Sequence, residues 1–362
     1  MKRNPSQKRA IAHLSGPMMV LAGPGSGKTS VTVERIAYMT KECGISPASI
    51  LVVTFSRAAA KEMKERFLKF TGQEHSPVTF GTFHGVFYAI LKQAYGFTAA
   101  NILSEEEKRQ MLLQIVNRKE IDEFEEEDFL KEIISEIGIV KNNGLKIEEY
   151  ETTICGKETF REIYREYERK RNEERKIDFD DMLLLCRDLF IKRPDILKKW
   201  QEKFRYILID EFQDINYRQY SIVKILAEKH RNIFAVGDDD QAIYGFRGAR
   251  PACMRQFVEE FGAKQILLRT NYRSHPDIVE ASLAVIDENK DRFHKDLEPC
   301  EAHRRQAGDH KTDAGYRKEY RVKIREFSEA SEQMRYLVQS LKNRINGETC
   351  AVLFRTNLAM QG

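Results

Sequence analysis

Apolar residues in this chain follow two rhythms, and the change between them marks its organisation. Short, nearly continuous apolar runs at 18–22 (MMVLA), 50–54 (ILVVT), 206–209 (YILI) and 232–237 (NIFAVG) have the length and β-branched content of strands buried on both faces. Residues 78–82 read as another strand. Helical spacing lies between them. Asn4-Pro5-Ser6-Gln7 opens a helix continued by Ile11 and Leu14, Val31, Ile36, Ala37 and Met39 mark one that Gly44 and Pro47 end, and 57–70 forms a charged helix. Strand alternating with helix predicts a parallel α/β sheet. From about Val86 the rhythm becomes amphipathic, heavily charged helix without strand, and the strand pattern returns only at Arg205. The expected organisation is a first α/β domain over 1–92 and 192–262, a helical insertion over 93–191, and the start of a second α/β domain over 263–362. In that last part Leu267-Leu268 would be the first strand, 277–288 a helix, 321–327 and 349–354 two more strands, and 303–317 a mobile loop.

Composition narrows the picture only a little. The 60 basic and 56 acidic residues leave a net charge of +4, so any nucleic-acid surface must be local. Six cysteines, at 43, 155, 186, 253, 300 and 350, form no metal or disulfide spacing and read as reduced, mostly buried thiols. The charged start, MKRNPSQKR, carries no signal-peptide apolar segment, and no run reaches membrane-span length. Cytoplasmic residence without membrane contact is the default expectation.

The chemistry begins where the first strand stops. Residues 18–29, MMVLAGPGSGKT, run from strand into a glycine loop. Gly23, Gly25 and Gly27 let backbone N–H groups converge on a polyphosphate, with Ser26 in the loop and a helix N-terminus behind it. Lys28 would reach the β- and γ-phosphates, and Thr29 would hold Mg²⁺. An ordinary tight turn is the bland alternative, against which the full spacing ending in Gly27-Lys28-Thr29 argues. Four apolar residues at 206–209 then run into Asp210-Glu211-Phe212-Gln213-Asp214, placing Asp210 to anchor Mg²⁺ and Glu211 to orient or deprotonate a water. After 232–237 come Asp238, Asp239, Asp240 and Gln241, whose amide could sense a γ-phosphate. Tyr244, Phe246 and Arg247 follow, a set suited to stacking on unpaired bases, with core packing as the alternative. Asp178, Asp180 and Asp181 could suggest a metal, but a helix N-cap with first-turn carboxylates explains them more simply.

These blocks, in this order, resemble the UvrD/Rep/PcrA-type superfamily 1 DNA helicases, over most of the chain from Asn4 to Asn357. The resemblance implies a RecA-like P-loop fold with an inserted helical subdomain and a partial second RecA-like domain. It makes Gln7 an adenine reader, Tyr272 the residue that stacks on adenine, and Arg273 a γ-phosphate finger, while Ser30 stands where the family commonly has a nucleotide-contacting Arg. It assigns Phe55, Thr82 and His84, with Tyr244, Phe246 and Arg247, to the DNA track. Arg57 and Ala58 replace the usual Asn-Lys there, and Phe246 a common Trp. The implied activity is an ATP-dependent 3′-to-5′ helicase or single-stranded DNA translocase using ATP and Mg²⁺ and acting on single strands and duplex junctions. Two rivals stay open: an ATP-gated DNA-binding module without productive turnover, and the motor portion of a helicase-nuclease. The family's last motifs and long second insertion do not occur in this sequence, so the expectation is an N-terminal part that does not unwind duplex by itself, completed by a missing half or a protein partner.

Overall fold

Apolar runs too short for helices line up as one parallel sheet in the computed structural model, which describes residues 3–118, 126–245, 248–302, 322–342 and 349–354. The chain divides into two units, Met1–Tyr316 and Arg317–Gly362. The larger unit begins with α1 (Pro5–Ala12), β1 (Met18–Ala22), α2 (Lys28–Lys41), β2 (Ile50–Thr54), α3 (Arg57–Thr71), β3 (Thr79–Thr82) and α4 (Phe83–Tyr95). A helical stretch follows, with α5 (Glu105–Asn117), α6 (Glu126–Asn143), α7 (Lys157–Glu173), α8 (Phe179–Lys192) and α9 (Pro194–Lys203). The strand pattern then resumes with β4 (Tyr206–Ile209), α10 (Tyr217–Ala227), β5 (Ile233–Gly237), α11 (Ala252–Phe261) and β6 (Lys264–Leu268), before β7 (Thr270–Asn271), α12 (Pro276–Ile286) and β8 (Glu298–Pro299).

The six-stranded sheet has the order β3-β2-β4-β5-β1-β6, every neighbouring pair parallel. Alternate side chains of its central strands leave by opposite faces, so each face builds its own core. Met19, Leu21, Leu51, Val53, Ile207 and Ile209 pack with α4, α8, α10 and α11 through Phe87, Leu183, Val223 and Phe257. Met18, Val20, Ile50, Val52 and Leu208 pack with the opposite layer through Ala10, Ile36 and Met63. Helix starts are fixed locally: Asn4 and Gln7 form a capping box on α1, and Ser56 and Thr82 cap α3 and α4.

The helical insertion has a core of its own, in which Leu112, Ile115, Ile133, Ile137 and Ile163 meet. That core spans Leu103 to Tyr167, whereas α8, inside the 93–191 range expected for the insertion, buries Leu183, Cys186 and Leu189 in the sheet-side core. Asp178 caps α8 as expected, and its carboxylate does more than face a helix dipole. Lys141, with a side chain 0% exposed, lies 2.9 Å from both Asp178 and Asp181 and 2.7 Å from Glu168. The Tyr167 hydroxyl donates to Asp178 at 2.7 Å, and Arg171 pairs with Asp181 at 3.0 Å. Burial alone would favour a neutral Lys141, but the surrounding carboxylates outweigh it and hold the ammonium charged, while Asp178 stays well below the carboxylate range. The lysine thus compensates the buried Asp178 carboxylate, while burial pushes the neighbouring Asp181 carboxyl up to about 7. Lys141→Met is expected to destabilise the chain by about 3–5 kcal/mol, because it removes the cation closest to the buried Asp178 and leaves that carboxylate to the more distant Lys108; urea unfolding measures this, and a loss below about 1 kcal/mol would contradict it.

Two expectations need correction. Leu267-Leu268 does not open a second sheet: β6 pairs with β1, Leu267 opposite Leu21 and Leu268 opposite Ala22, and Leu268 joins the core of the first sheet. Nor do 322–327 and 349–354 form strands; a strand exists only against a ladder partner, and Ile324 and Leu353 are 90% and 93% exposed. The second unit contributes the helix Ala330–Lys342, with Tyr336 packed on Phe327. The loop expected at 303–317 lies outside the described residues. All six cysteines are unpaired, but only Cys186 and Cys253 are buried; Cys43, Cys155 and Cys300 are half-buried and Cys350 is exposed. No described helix is long and apolar enough to cross a membrane.

Candidate nucleotide and nucleic-acid site

The phosphate loop, the acid pair and the Asp238–Gln241 turn follow the carboxyl ends of β1, β4 and β5, the edge of the sheet where open parallel sheets bind ligands. The β1–α2 turn carries the phosphate loop. Gly25 and Gly27 have φ of +68° and +88°, and Gly27 starts α2 without a side-chain cap, leaving backbone N–H groups for an anion. Ser26 stiffens the loop by donating to the Gly23 carbonyl at 2.7 Å. A β-carbon at Gly25 would lie 2.6 Å from Cβ of Arg273 and 2.8 Å from Oδ1 of Asn271. Tyr272 donates its backbone N–H to the Gly25 carbonyl at 2.9 Å. The residues after β7 are thereby held against the loop, and Tyr272 and Arg273 line its cavity of about 370 Å³ together with Lys28, Thr29, Ser30, Glu211 and Gln241. Arg66 of α3 lines it too, a guanidinium that the sequence did not single out.

Gln7 is 2% exposed; its Nε2 donates to the Ser26 carbonyl at 3.0 Å and its Oε1 accepts from Asn4 N at 3.2 Å. Its amide keeps one N–H and one lone pair, the pair of functions an adenine edge requires. Asn4 also donates to the Tyr272 hydroxyl at 2.9 Å, so the residues expected at the base are already connected.

The acid pair sits at the end of β4. Lys28 Nζ is 2.9 Å from Glu211 Oε2. Glu211 has φ +50°, a sparsely populated backbone state for a non-glycine residue and one found at functional positions. Asp210 is buried, and its Oδ1 has no hydrogen-bond partner. Burial, then the neighbouring Glu211, pushes its carboxyl up to about 6, against the opposing pull of Lys28; Asp214 rises to about 6 for the same reasons. A buried carboxylate oxygen without a donor, in one cavity with Thr29, fits a hard divalent cation such as Mg²⁺.

A polar relay leads from the acids to the β5 loop. Gln213 donates to Glu211 at 2.8 Å and accepts from Asp238 N at 2.9 Å, while Gln241 donates to the Asp238 carboxylate. Asp238, Asp239 and Asp240 lie close enough to share a metal, but the Lys295 ammonium, on a side chain 0% exposed, contacts all three. Arg292 grips Asp240 through two bonds of 2.8 and 3.0 Å. Neither cation was singled out in the sequence.

A second cavity of about 390 Å³ continues from Thr29, Glu211 and Gln241 to Phe55 and Tyr244. Their rings stack at 4.8 Å and 25°, although the two residues lie far apart in the chain. Thr82 Oγ1 accepts from Gly85 N at 3.2 Å as the α4 cap, and His84 meets Phe179 edge to face at 5.9 Å. Burial lowers the His84 pKa despite Asp180 and Asp178, favouring the neutral ring and speaking against a charged phosphate contact. Phe246 and Arg247 lie outside the described residues.

With this geometry stand the similarities to known proteins. A sequence profile described as the UvrD/REP helicase N-terminal domain matches residues 3–262, and one described as the UvrD-like helicase C-terminal domain matches 266–361. The chain is 37% identical over 366 residues to a protein of Bacillus subtilis (strain 168) provisionally named ATP-dependent DNA helicase YjcD, an alignment covering 98% of this chain and 46% of that protein. It is 33% identical over 369 residues to ATP-dependent DNA helicase PcrA of Staphylococcus aureus (strain Mu50 / ATCC 700699), covering 98% and 48%. The chain spans about half the length of the curated relatives it matches.

Proposed function

Because the chain belongs to the UvrD/REP helicase family, we propose that it is the ATP-hydrolysing motor portion of a DNA helicase that moves 3′ to 5′ along single-stranded DNA. The observation that carries this reading is the continuity of one cleft, in which phosphate loop, acid pair, γ-phosphate sensor and aromatic pair follow one another along a single sheet edge. The loop N–H groups and Lys28 take the polyphosphate, and moving Lys28 onto it releases Glu211 to orient the attacking water. Thr29 and Asp210 would hold Mg²⁺, which supplies charge neutralisation at the phosphate oxygens. Arg273 and Arg66 face the same cavity, where a guanidinium stabilises negative charge developing in the transition state. Ser30 supplies only a hydroxyl where the family resemblance implies an arginine, and Arg66, ion-paired with Glu62 on its own helix, is the guanidinium at hand there. Tyr272 stacks on the adenine, whose edge Gln7 reads.

Phe55 and Tyr244 form the base-binding step, with Thr82 and His84 beside the sugar-phosphate track. Gln213, Asp238 and Gln241 give the nucleotide a mechanical route to that step. Single-stranded DNA should therefore stimulate ATP hydrolysis, and absence of stimulation would overturn the coupling. Separately, Tyr244→Ala and Phe55→Ala are each expected to weaken oligothymidylate binding by about 1–3 kcal/mol per stacked base. Fluorescence anisotropy measures this. A lowered melting temperature with unchanged DNA affinity would make the pair a structural contact.

A further inference from the structure

On the far side of α3 from the nucleotide cleft, a groove of about 490 Å³ runs along the free edge of β3. Its floor is apolar, made by Phe80, Val86, Trp200 and Phe204. Its rim is cationic, with Arg57, Lys61, Lys64 and Lys203 all exposed. Among the described residues no carboxylate lines it, in a chain whose acidic and basic residues nearly balance, whereas Glu62, Asp210, Glu211 and Asp214 line the neighbouring cavity across α3. Among the four cations the structure gives Lys61 a carboxylate partner, Glu65 at 3.8 Å, with both side chains more than half exposed. Lys203 is held over the Trp200 ring at 4.7 Å, which positions its ammonium at the rim. The groove ends at Gly81, Thr82 and Gly85, the turn where β3 becomes α4.

We infer that this groove is an additional binding surface for single-stranded DNA, extending the track beyond Thr82 along the β3 edge. Phosphates sit against Arg57, Lys61, Lys64 and Lys203, and the sugar and base edges lie on the apolar floor. The inference rests on the DNA-binding reading of Phe55, Tyr244 and Thr82 and adds a subsite to it. Continuity at Thr82 favours nucleic acid over an acidic peptide pairing with the strand edge. A surface of this kind contributes mainly electrostatically, so its mark is salt dependence.

The test is a triple variant, Lys61→Glu, Lys64→Glu and Lys203→Glu, titrated with oligothymidylates of increasing length over a range of salt. Loss of three phosphate contacts should make the logarithmic salt slope shallower by about 2 and weaken binding of long strands by roughly 10- to 100-fold near 0.1 M salt. Short strands that reach only the Phe55–Tyr244 step should bind the variant nearly as well as the parent. Unchanged slope and affinity for long strands would overturn the inference, as would loss of polyglutamate binding with DNA binding intact, which would mark a peptide groove. Tyr244→Ala, run in parallel, separates the two levels. If the parent binds no strand in a Tyr244-dependent way, the underlying DNA reading fails; if it does and the triple variant matches it, only the groove fails. Melting temperature checks that the exposed substitutions leave the fold intact.

Discussion

Glu211→Gln should slow ATP hydrolysis by about 10²- to 10⁴-fold while nucleotide affinity stays within a few-fold of the parent. The carboxylate is the group placed to take or orient the proton of the attacking water, and the amide keeps its shape without its basicity. Binding draws on other atoms: the loop N–H groups behind Gly25 and Gly27, and Lys28. Lys28 is paired with Glu211 at 2.9 Å, and the amide oxygen of the variant can still accept from it. Lys28→Ala is expected to behave in the opposite way, losing binding first. Isothermal titration and steady-state turnover separate the two, and parallel loss of binding in both variants would reduce Glu211 to a structural partner of Lys28.

The parts of this arrangement visible in the sequence are those set by local pattern. Runs such as 50–54 and 206–209 announce buried strands because both faces need apolar side chains, and the phosphate loop announces itself because glycine and lysine spacing is a local requirement. Pairing between distant segments left no such trace. Lys295 reaches Asp239 across 56 residues of sequence, and nothing around His294 or Asp296 distinguishes it from an ordinary surface lysine. Arg66 lay in a charged helix whose exposed face was readable, but not the neighbour that face would meet. Strand β6 was legible as a strand and not as a member of the first sheet, since two leucines say nothing about which edge will accept them. Arg171 and Glu168 belong to a heavily charged helix, and the buried partners that draw them inward, Asp181 for the arginine and Lys141 for the glutamate, sit on other helices.

Asp210→Asn should have two effects of opposite sign, which makes it the sharpest test of the proposed metal position. Folding raises this carboxyl from 3.8 to about 6. The folded protein therefore holds the proton more tightly than the unfolded chain, and stability falls as pH rises through that window and stays reduced at pH 7. An amide cannot ionise, so the variant should be more stable than the parent at pH 7 by about 2–3 kcal/mol, with the difference vanishing below about pH 4. Asp214, which titrates in the same range, remains in both proteins and cancels in the comparison. Mg²⁺ should reverse the order: it stabilises the parent by binding the ionised Asp210 and does little for the variant. Turnover of Mg²⁺-ATP should fall by several kcal/mol of barrier, on the order of 10²-fold or more. Melting curves at pH 4 and pH 7, with and without Mg²⁺, read all of these signs without relying on activity. A variant less stable than the parent at pH 7 without Mg²⁺ would mean that Asp210 is satisfied in the free protein, and that its buried oxygen is not held in reserve for a cation.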